Sequence, residues 1–247
     1  MTTPTERSID VSGAAVTALT YQTAGPPVAT LILGHGAGAD QQSAFMTLCG
    51  RGLSALGIET VTFNFLYTEK KQRRLPDRRP VLEACYRAVV QAIAGETGDR
   101  KLFIGGKSMG GRIATHVAAA DPHLPVCGLV LLGYPLHPPG RPAERRDAHL
   151  PAVGRRVLFV QGSRDPFGTP DELAPALASM SAISPGPDLH VVAGGDHSFK
   201  ITRAARAAAG APPAGQNDVH GEILRTIARW IDQVTCEGPR GIRPLAG

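Results

Sequence analysis

Residues 102–120 read LFIGGKSMGGRIATHVAAA, so an apolar run, a glycine-rich turn and a helical pattern follow one another. Ser108 stands in that turn, two residues after Gly106 and two before Gly110. A serine on a sharp strand-to-helix turn needs small neighbours at these positions, because larger side chains would collide with the adjoining strand and helix. The stretch therefore predicts a nucleophile elbow in which Ser108 attacks an acyl carbon.

The rest of the chain repeats this alternation of strand and helix. Apolar, β-branched runs predict strands at residues 15–19, 30–33, 60–65, 101–104, 127–132, 157–160 and 189–192. Helical patterns lie at residues 42–56, 80–94, 109–119, 170–179 and 219–234. The later strands are continuously apolar, as in a parallel sheet that is covered on both faces. We expect an α/β fold with a mostly parallel, doubly wound sheet of about 7–8 strands and helices on both faces.

Length and composition favour one globular domain. The chain has 247 residues, of which 43% are hydrophobic and 19% charged, and no polar stretch divides it into two foldable halves. We predict a single domain over residues 1–237 and a flexible tail over residues 238–247, and we expect the alanine-, glycine- and proline-rich segment 203–216 to be mobile surface. The polar start has no apolar leader and no run reaches about 18 apolar residues, so a cytoplasmic location without membrane contact is expected.

Cysteine spacing and charge exclude several kinds of partner. The four cysteines form no CxxC pair, so neither a zinc site nor a disulfide framework is suggested. The formal net charge is +5, and one basic cluster comprises Lys70, Lys71, Arg73, Arg74, Arg78 and Arg79. No aromatic residues are interleaved with these charges, so we predict a solvated loop and no nucleic-acid partner. We expect a monomer or a homodimer.

Two further polar residues follow strands of the predicted sheet. Asp165 comes soon after the sixth predicted strand, and His197 follows the seventh. In an open parallel sheet, ligands bind outside the carboxyl ends of the strands. A serine hydroxyl needs a histidine to take its proton and a carboxylate to orient that histidine. Ser108, Asp165 and His197 are therefore the predicted catalytic residues, with Asp171 and Asp196 as alternative acids.

Donors for a developing oxyanion are predicted in two places. The backbone N–H of Met109 starts the helix after the elbow, and that of Ala37 lies in the segment GHGAG at residues 34–38. Two such N–H groups are what a tetrahedral intermediate needs. His35 is expected to shape this segment through a hydrogen bond, with a direct catalytic role as the alternative. Lys107 either reaches a substrate carboxylate or faces solvent.

These motifs resemble the α/β-hydrolase superfamily, and more narrowly the small bacterial hydrolases of the KANL/Tex type and the neighbouring dienelactone hydrolases. The resemblance covers almost the whole chain and implies the α/β-hydrolase fold. It rests on GHGAG at residues 34–38, FNFLY at 63–67 with the basic segment after it, GGKSMGGR at 105–112 and GGDHSF at 194–199. Dienelactone hydrolases proper carry cysteine where Ser108 stands, and epoxide hydrolases and haloalkane dehalogenases carry aspartate there, so those activities are not expected.

The spacing of two strands predicts an open site. Only about 24 residues, 133–156, separate the fifth and sixth predicted strands, too few for a separate cap domain. An open, partly apolar cleft suits short or medium acyl esters. The candidate substrate-binding residues, each of which could equally be ordinary core, are Phe65, Leu66, Tyr67, Tyr134, Leu136, Phe167 and Phe199.

The leading functional prediction is a serine carboxylesterase that takes a small-molecule ester. It would work through an acyl-enzyme intermediate on Ser108, without a cofactor or a metal. The same triad fits a thioesterase, an amidase or a peptidase, because the pocket decides which acyl group is used. The family that the chain resembles also includes members regarded as subunits of complexes, so a catalytically inactive interaction protein is the third alternative.

Overall fold

The computed structural model describes residues 3–70, 75–182 and 185–237, and eight strands in these ranges form one sheet. The strands are β1 (Thr5–Val11), β2 (Ala14–Tyr21), β3 (Ala29–Gly34), β4 (Ile58–Phe63), β5 (Lys101–Lys107), β6 (Gly128–Leu132), β7 (Arg156–Gly162) and β8 (Asp188–Val192). Their spatial order is β1-β2-β4-β3-β5-β6-β7-β8. β2 pairs antiparallel with both β1 and β4, and all other neighbours are parallel. The predicted mostly parallel α/β sheet is confirmed.

Helices cover both faces of this sheet. They are α1 (Ala44–Ala55), α2 (Leu66–Glu69), α3 (Arg79–Thr97), α4 (Met109–Ala120), α5 (Pro170–Ser179), α6 (Arg203–Ala208) and α7 (Gln216–Glu237). Successive strand residues point to opposite faces. Ile32 therefore joins the apolar layer under α3 and α4, while Leu31 and Leu33 join the layer under α1 and α7. Burial on both faces explains why the β3 run is continuously apolar.

One strand was not predicted, one predicted strand ends earlier, and two predictions fall on residues outside the described ranges. The strand β1 has the polar sequence TERSIDV and lies at the edge of the sheet, so it lacked the apolar run used to find strands. The strand predicted to reach Phe65 ends at Phe63, and Phe65 precedes α2 instead. The predicted tail at residues 238–247, and Lys71, Arg73 and Arg74 of the basic cluster, lie outside the described residues.

The prediction that segment 203–216 is mobile surface is wrong for its first half. This half forms α6, and the Thr202 hydroxyl accepts a hydrogen bond from the Ala205 N–H at 3.1 Å. The Arg206 side chain is buried and donates to the carbonyls of Pro212 at 2.9 Å and Ala193 at 3.3 Å. The alanine-rich composition did not indicate α6. This helix is stabilised by the Thr202 cap and by the buried Arg206 guanidinium.

The segment between β6 and β7 forms no cap. Its residues 133–155 contain one 3₁₀ turn, Leu150–Ala152, and no other helix or strand. The prediction of a fold without a large cap domain is therefore confirmed. In the part of the chain that the structure describes, no helix combines the length and apolar character needed to cross a bilayer.

The end of β3 lies directly against the first turn of α4. A Cβ atom on Gly110 would collide with the Gly34 carbonyl oxygen and lie 2.8 Å from that of His35. A Cβ on Gly34 would lie 3.2 Å from the Gly110 Cα. Only glycine permits this approach of two backbones. The contact places the residues that follow β3 beside the turn that begins α4.

We expect Gly110→Ala to lower the free energy of unfolding by about 1–3 kcal/mol, because the added methyl group forces α4 away from β3. The matched control is Gly95→Ala in α3, where a Cβ meets nothing within 4 Å. There, alanine should raise stability by up to about 1 kcal/mol through its higher helix propensity. Urea denaturation measures both, and equal stability of the two variants would contradict the close contact.

Candidate active site

Ser108 occupies the turn between β5 and α4 in a strained conformation. Its φ is 51° and its ψ is −112°, outside the regions that residues with a side chain favour. The Ser108 N–H donates to the Leu132 carbonyl at 2.9 Å, and the Ser108 carbonyl accepts from the Arg112 N–H at 3.1 Å. Strain of this kind costs about 1–3 kcal/mol and clusters at functional sites. The surrounding strand and helix hold the serine in this position.

Glycine at position 106 makes this turn possible. Its φ is 154°, and a Cβ there would collide with the Gly34 carbonyl oxygen. The Gly-x-Ser-x-Gly spacing is thus explained at both ends, because Gly106 and Gly110 each lie against Gly34. The local geometry is that of the predicted nucleophile elbow.

The structure brings the three predicted catalytic side chains into one hydrogen-bonded chain. His197 Nε2 lies 2.9 Å from Ser108 Oγ, and His197 Nδ1 lies 2.7 Å from Asp165 Oδ2. The Asp165 carboxylate accepts a hydrogen bond from Nδ1–H, which leaves Nε2 as an acceptor for the serine hydroxyl. The arrangement can remove a proton from Ser108 Oγ as the oxygen attacks an electrophile.

Asp165 is fixed by donors to both of its oxygens. The side chain is fully buried. The Phe167 N–H donates to Oδ1 at 2.8 Å, and the Gln161 amide donates to Oδ2 at 2.9 Å. A buried carboxylate needs such donors to remain ionised.

The two alternative acids are placed elsewhere. Asp171 is an exposed residue in the first turn of α5. Asp196 Oδ1 accepts from the backbone N–H groups of Ser198 at 2.8 Å and Lys200 at 2.9 Å. Neither carboxylate is hydrogen-bonded to His197 in the described structure.

The two predicted oxyanion donors both face one cavity. Ala37 and Met109 line it together with Ser108 and His197. Within the described residues, neither the Ala37 N–H nor the Met109 N–H has a hydrogen-bond acceptor. Backbone donors in folded proteins normally have partners. Two unpaired backbone N–H groups therefore belong to residues that line the cavity together with Ser108.

His35 lies in the position expected of a residue that shapes the segment at residues 34–38 through hydrogen bonds. Its Nδ1 lies 2.8 Å from the Gly36 carbonyl oxygen, and its Nε2 accepts from the Phe65 N–H at 3.3 Å and lies 3.2 Å from Thr68 Oγ1. The ring is fully buried and does not line the cavity. Burial lowers the pKa of His35. A neutral imidazole thus ties the Gly36 segment to the start of α2.

The cavity at Ser108 has a volume of about 600 Å³. Of the predicted wall residues, Phe167 lines it, and its ring lies 4.2 Å from the His197 ring between centroids. The structure places the other predicted wall residues away from the cavity, because their side chains pack into the apolar layers of the sheet: Phe65, Leu66, Tyr67, Tyr134, Leu136 and Phe199. Apolar walls come instead from Phe45, Met46, Pro76, Leu82 and Pro135.

A family model described as an alpha/beta hydrolase domain matches residues 27–218 of this chain, well over half of its length. The chain belongs to the alpha/beta hydrolase family. The matched range includes the elbow, the acid and the histidine of the hydrogen-bonded chain. The family match therefore extends over strands β3 to β8 and over all three residues of the hydrogen-bonded chain.

Solved structures give the same fold at low sequence identity. A dienelactone hydrolase from Anabaena variabilis is 18% identical, with 94% of this chain and 99% of that chain covered and a TM-score of 0.70. An alpha-beta serine hydrolase homologue from Coxiella burnetii is 20% identical over 92% and 99%, with a TM-score of 0.69. A serine hydrolase without a lid from Xanthomonas campestris is 19% identical over 93% and 96%, with a TM-score of 0.64. These likenesses concern the fold.

Lys107 of the hydrolase has a role that neither predicted alternative describes. Its Nζ donates to the His197 carbonyl at 2.6 Å and lies 5.4 Å from the centroid of the Phe199 ring. Burial lowers the pKa of Lys107 to about 8, while Asp165 and Asp196 favour its charged form. Lys107 therefore ties the loop that carries His197 to the end of β5, next to the nucleophile.

Gln161 is a positioning residue that the sequence analysis missed. It is fully buried in β7, where it donates to Asp165 Oδ2 at 2.9 Å and to the Gly168 carbonyl at 2.7 Å. Its Oε1 accepts from the Tyr134 N–H at 2.8 Å. A glutamine inside the apolar run VLFVQG was a detectable signal, because buried amides require partners.

We expect Gln161→Met to slow labelling of Ser108 by a neutral fluorophosphonate about 10-fold, since Asp165 loses a donor that fixes its orientation. The fluorophosphonate reports the nucleophilicity of the serine directly. Thr60→Val is the control, because it removes another buried hydrogen bond, to the Ile58 carbonyl, in a strand that does not line the cavity. The control should lose stability and keep its labelling rate. Equal labelling of both variants and wild type would remove the positioning role.

Proposed function

We propose that the chain is a serine carboxylesterase that acts on short to medium acyl esters. One observation carries the proposal: the chain of hydrogen bonds from Ser108 Oγ through His197 to buried Asp165 opens into a cavity with two unpaired N–H donors. Nucleophile, base, orienting acid and oxyanion donors are the parts that acyl transfer requires.

The first half of the reaction forms an acyl-enzyme. Ser108 Oγ bonds to the acyl carbon while its proton passes to His197 Nε2, and the carbonyl oxygen becomes an oxyanion held by the Ala37 and Met109 N–H groups. The bond to the alcohol oxygen then breaks, and His197 returns the proton to that oxygen. Asp165 orients the imidazole throughout and stabilises the imidazolium until its proton reaches the alcohol oxygen.

The second half releases the acid. A water molecule loses a proton to His197 Nε2 and attacks the acyl carbon, which again places negative charge in the oxyanion site. The bond between the acyl carbon and Ser108 Oγ breaks, and Oγ recovers its proton from His197. Every step uses residues of this chain, so the proposed reaction needs no cofactor.

The cavity supports a limited substrate size. Its volume of about 600 Å³ lies within the range of sites for small molecules. The segment between β6 and β7 forms no cap over the cavity. A solved structure with the same fold is described as a serine hydrolase without a lid. These features favour small, accessible esters over long-chain lipids at an interface.

Ser108→Ala should abolish hydrolysis of p-nitrophenyl butyrate and labelling by a fluorophosphonate, because no other group supplies the nucleophile. Ester turnover and mass spectrometry of the labelled peptide measure the two effects. A panel that adds a thioester and a p-nitroanilide identifies the preferred acyl bond. Turnover by Ser108→Ala at the wild-type rate would contradict the proposal, and an unlabelled wild-type serine would favour an inactive interaction protein.

Asp165→Asn should lower kcat by about 10⁴-fold, because an amide at this position no longer fixes the tautomer of His197. Asp171→Asn is the matched control, since Asp171 was an alternative acid and is exposed in α5. This control should keep the wild-type kcat. The assignment of the acid fails if the two variants change activity equally.

A further inference from the structure

The cavity at Ser108 carries more positive charge than the proposed acyl transfer uses. Arg79, Arg112 and Arg146 line it, and Asp77 is the only carboxylate among its described lining residues. The fourth basic residue of the lining, Lys107, donates a hydrogen bond to the His197 carbonyl. Arginine side chains gathered in a cavity repel one another and lose hydration, so their presence needs a compensating partner.

Arg112 is the most exceptional of these groups. It lies one turn of α4 after Ser108 and is partly buried. Its Nε is buried without a hydrogen-bond partner, and no described residue forms a hydrogen bond or an ion pair with its guanidinium. Burial and the neighbouring Arg146 lower the pKa of Arg112. Buried donors normally have hydrogen-bond acceptors. The Arg112 guanidinium therefore has donor capacity that the described residues do not use.

Arg146 also presents an unoccupied guanidinium. Its backbone is fixed, because its N–H donates to the Leu136 carbonyl at 2.8 Å and its carbonyl accepts from the Tyr134 hydroxyl at 2.7 Å. In the described structure its side chain has no hydrogen bond or ion pair. The segment between β6 and β7 therefore holds this arginine at the cavity without using its charge.

Two nearby carboxylates are paired with other arginines, and the cavity-lining Asp77 forms no ion pair with a described residue. Glu83 binds Arg79, with Oε1 at 3.1 Å from Nε, and Asp147 accepts from Arg145 Nε at 2.9 Å. Neither carboxylate is within ion-pair distance of Arg112 or Arg146. The protein thus supplies counter-ions to the outer arginines and leaves the charge of the inner pair uncompensated.

Two stacked histidines beside this pair add no charge of either sign. The rings of His116 and His149 lie 3.5 Å apart between centroids. Burial, reinforced by the nearby cations, lowers the pKa of His116 to about 3 and that of His149 to about 4. Both imidazoles are therefore neutral at pH 7, and the local field comes from the guanidinium groups.

We propose that Arg112 and Arg146 form a subsite for an anionic oxygen group of the substrate, a carboxylate or a phosphate. The inference rests on the proposed esterase function and makes its substrate class more specific: an ester whose acyl or alcohol part carries negative charge. A guanidinium presents parallel N–H donors that match the oxygens of either anion. Binding such a group would satisfy the buried Arg112 Nε and relieve the repulsion between the two arginines.

Two matched ester pairs test the subsite. On the acyl side, p-nitrophenyl hemiglutarate is compared with p-nitrophenyl butyrate, and on the alcohol side 4-carboxyphenyl acetate is compared with phenyl acetate. The wild type should prefer the anionic member of at least one pair by 10-fold or more in kcat/KM. Arg112→Gln and Arg146→Gln should each reduce that preference about 10- to 100-fold, the effect of losing a hydrogen bond to a charged group.

Arg145→Gln is the control, because Arg145 is adjacent in sequence, binds Asp147 and does not line the cavity. It should retain both the activity and the preference of the wild type. Thermal unfolding provides a second measurement: Arg112→Gln should not lower the Tm, since it removes a cation that has no partner. When the wild type hydrolyses these esters, the subsite is overturned if neither pair shows a preference and neither glutarate nor phenyl phosphate binds, or if Arg145→Gln loses the preference as fully as Arg112→Gln.

Direct binding separates this inference from the esterase proposal. Glutarate and phenyl phosphate are titrated calorimetrically into Ser108→Ala, with and without Arg112→Gln, and the ligand whose affinity falls identifies the anion. If the wild-type serine is not labelled by a fluorophosphonate but glutarate or phenyl phosphate binds through Arg112, the esterase fails and the subsite stands. If esters are hydrolysed but neither anion binds through Arg112, the subsite fails and the esterase stands.

Discussion

The geometry of the site depends on a contact between glycine backbones. Gly106 and Gly110 both lie against Gly34, at distances that no side chain on either would allow. This contact joins the end of β3 to the start of α4. It brings the Ala37 N–H, which follows β3, to the same cavity as the Met109 N–H, which begins α4. The strained φ of Ser108 lies at the same junction, where the chain reverses between a buried strand and a helix that is packed against Gly34.

A polar network on the other side of the nucleophile completes the site. Asp165 is held by the Phe167 N–H and by Gln161, and Gln161 also binds the segment after β6. Lys107 ties the backbone of His197 to the end of β5. Such a network is costly when any member lacks a partner, and rigid when all are satisfied. In this network the imidazole is oriented toward Ser108 Oγ.

The apolar runs allowed the parallel sheet to be predicted. The elbow and the chain of Ser108, His197 and Asp165 could also be predicted, because these residues follow the ends of such runs. The cavity walls could not be predicted in this way. Aromatic residues after strands, such as Phe65 and Tyr134, turned inward to the sheet, while Phe45 and Leu82 reached the cavity from helices far away in sequence. Local pattern gives the position of a backbone, but the face to which a loop side chain turns is set by packing against distant elements.

In the proposed mechanism and subsite, one helical turn carries three tasks, since Ser108, the Met109 N–H and Arg112 lie within five consecutive residues. The first two need the backbone of the elbow, which positions both Ser108 Oγ and the Met109 N–H. The third belongs to a side chain alone, at a position where a different residue would leave the elbow intact. Relatives that differ at position 112 would thus differ in the charge of the substrates they prefer. A single substitution there would change the substrate preference of an enzyme with this elbow.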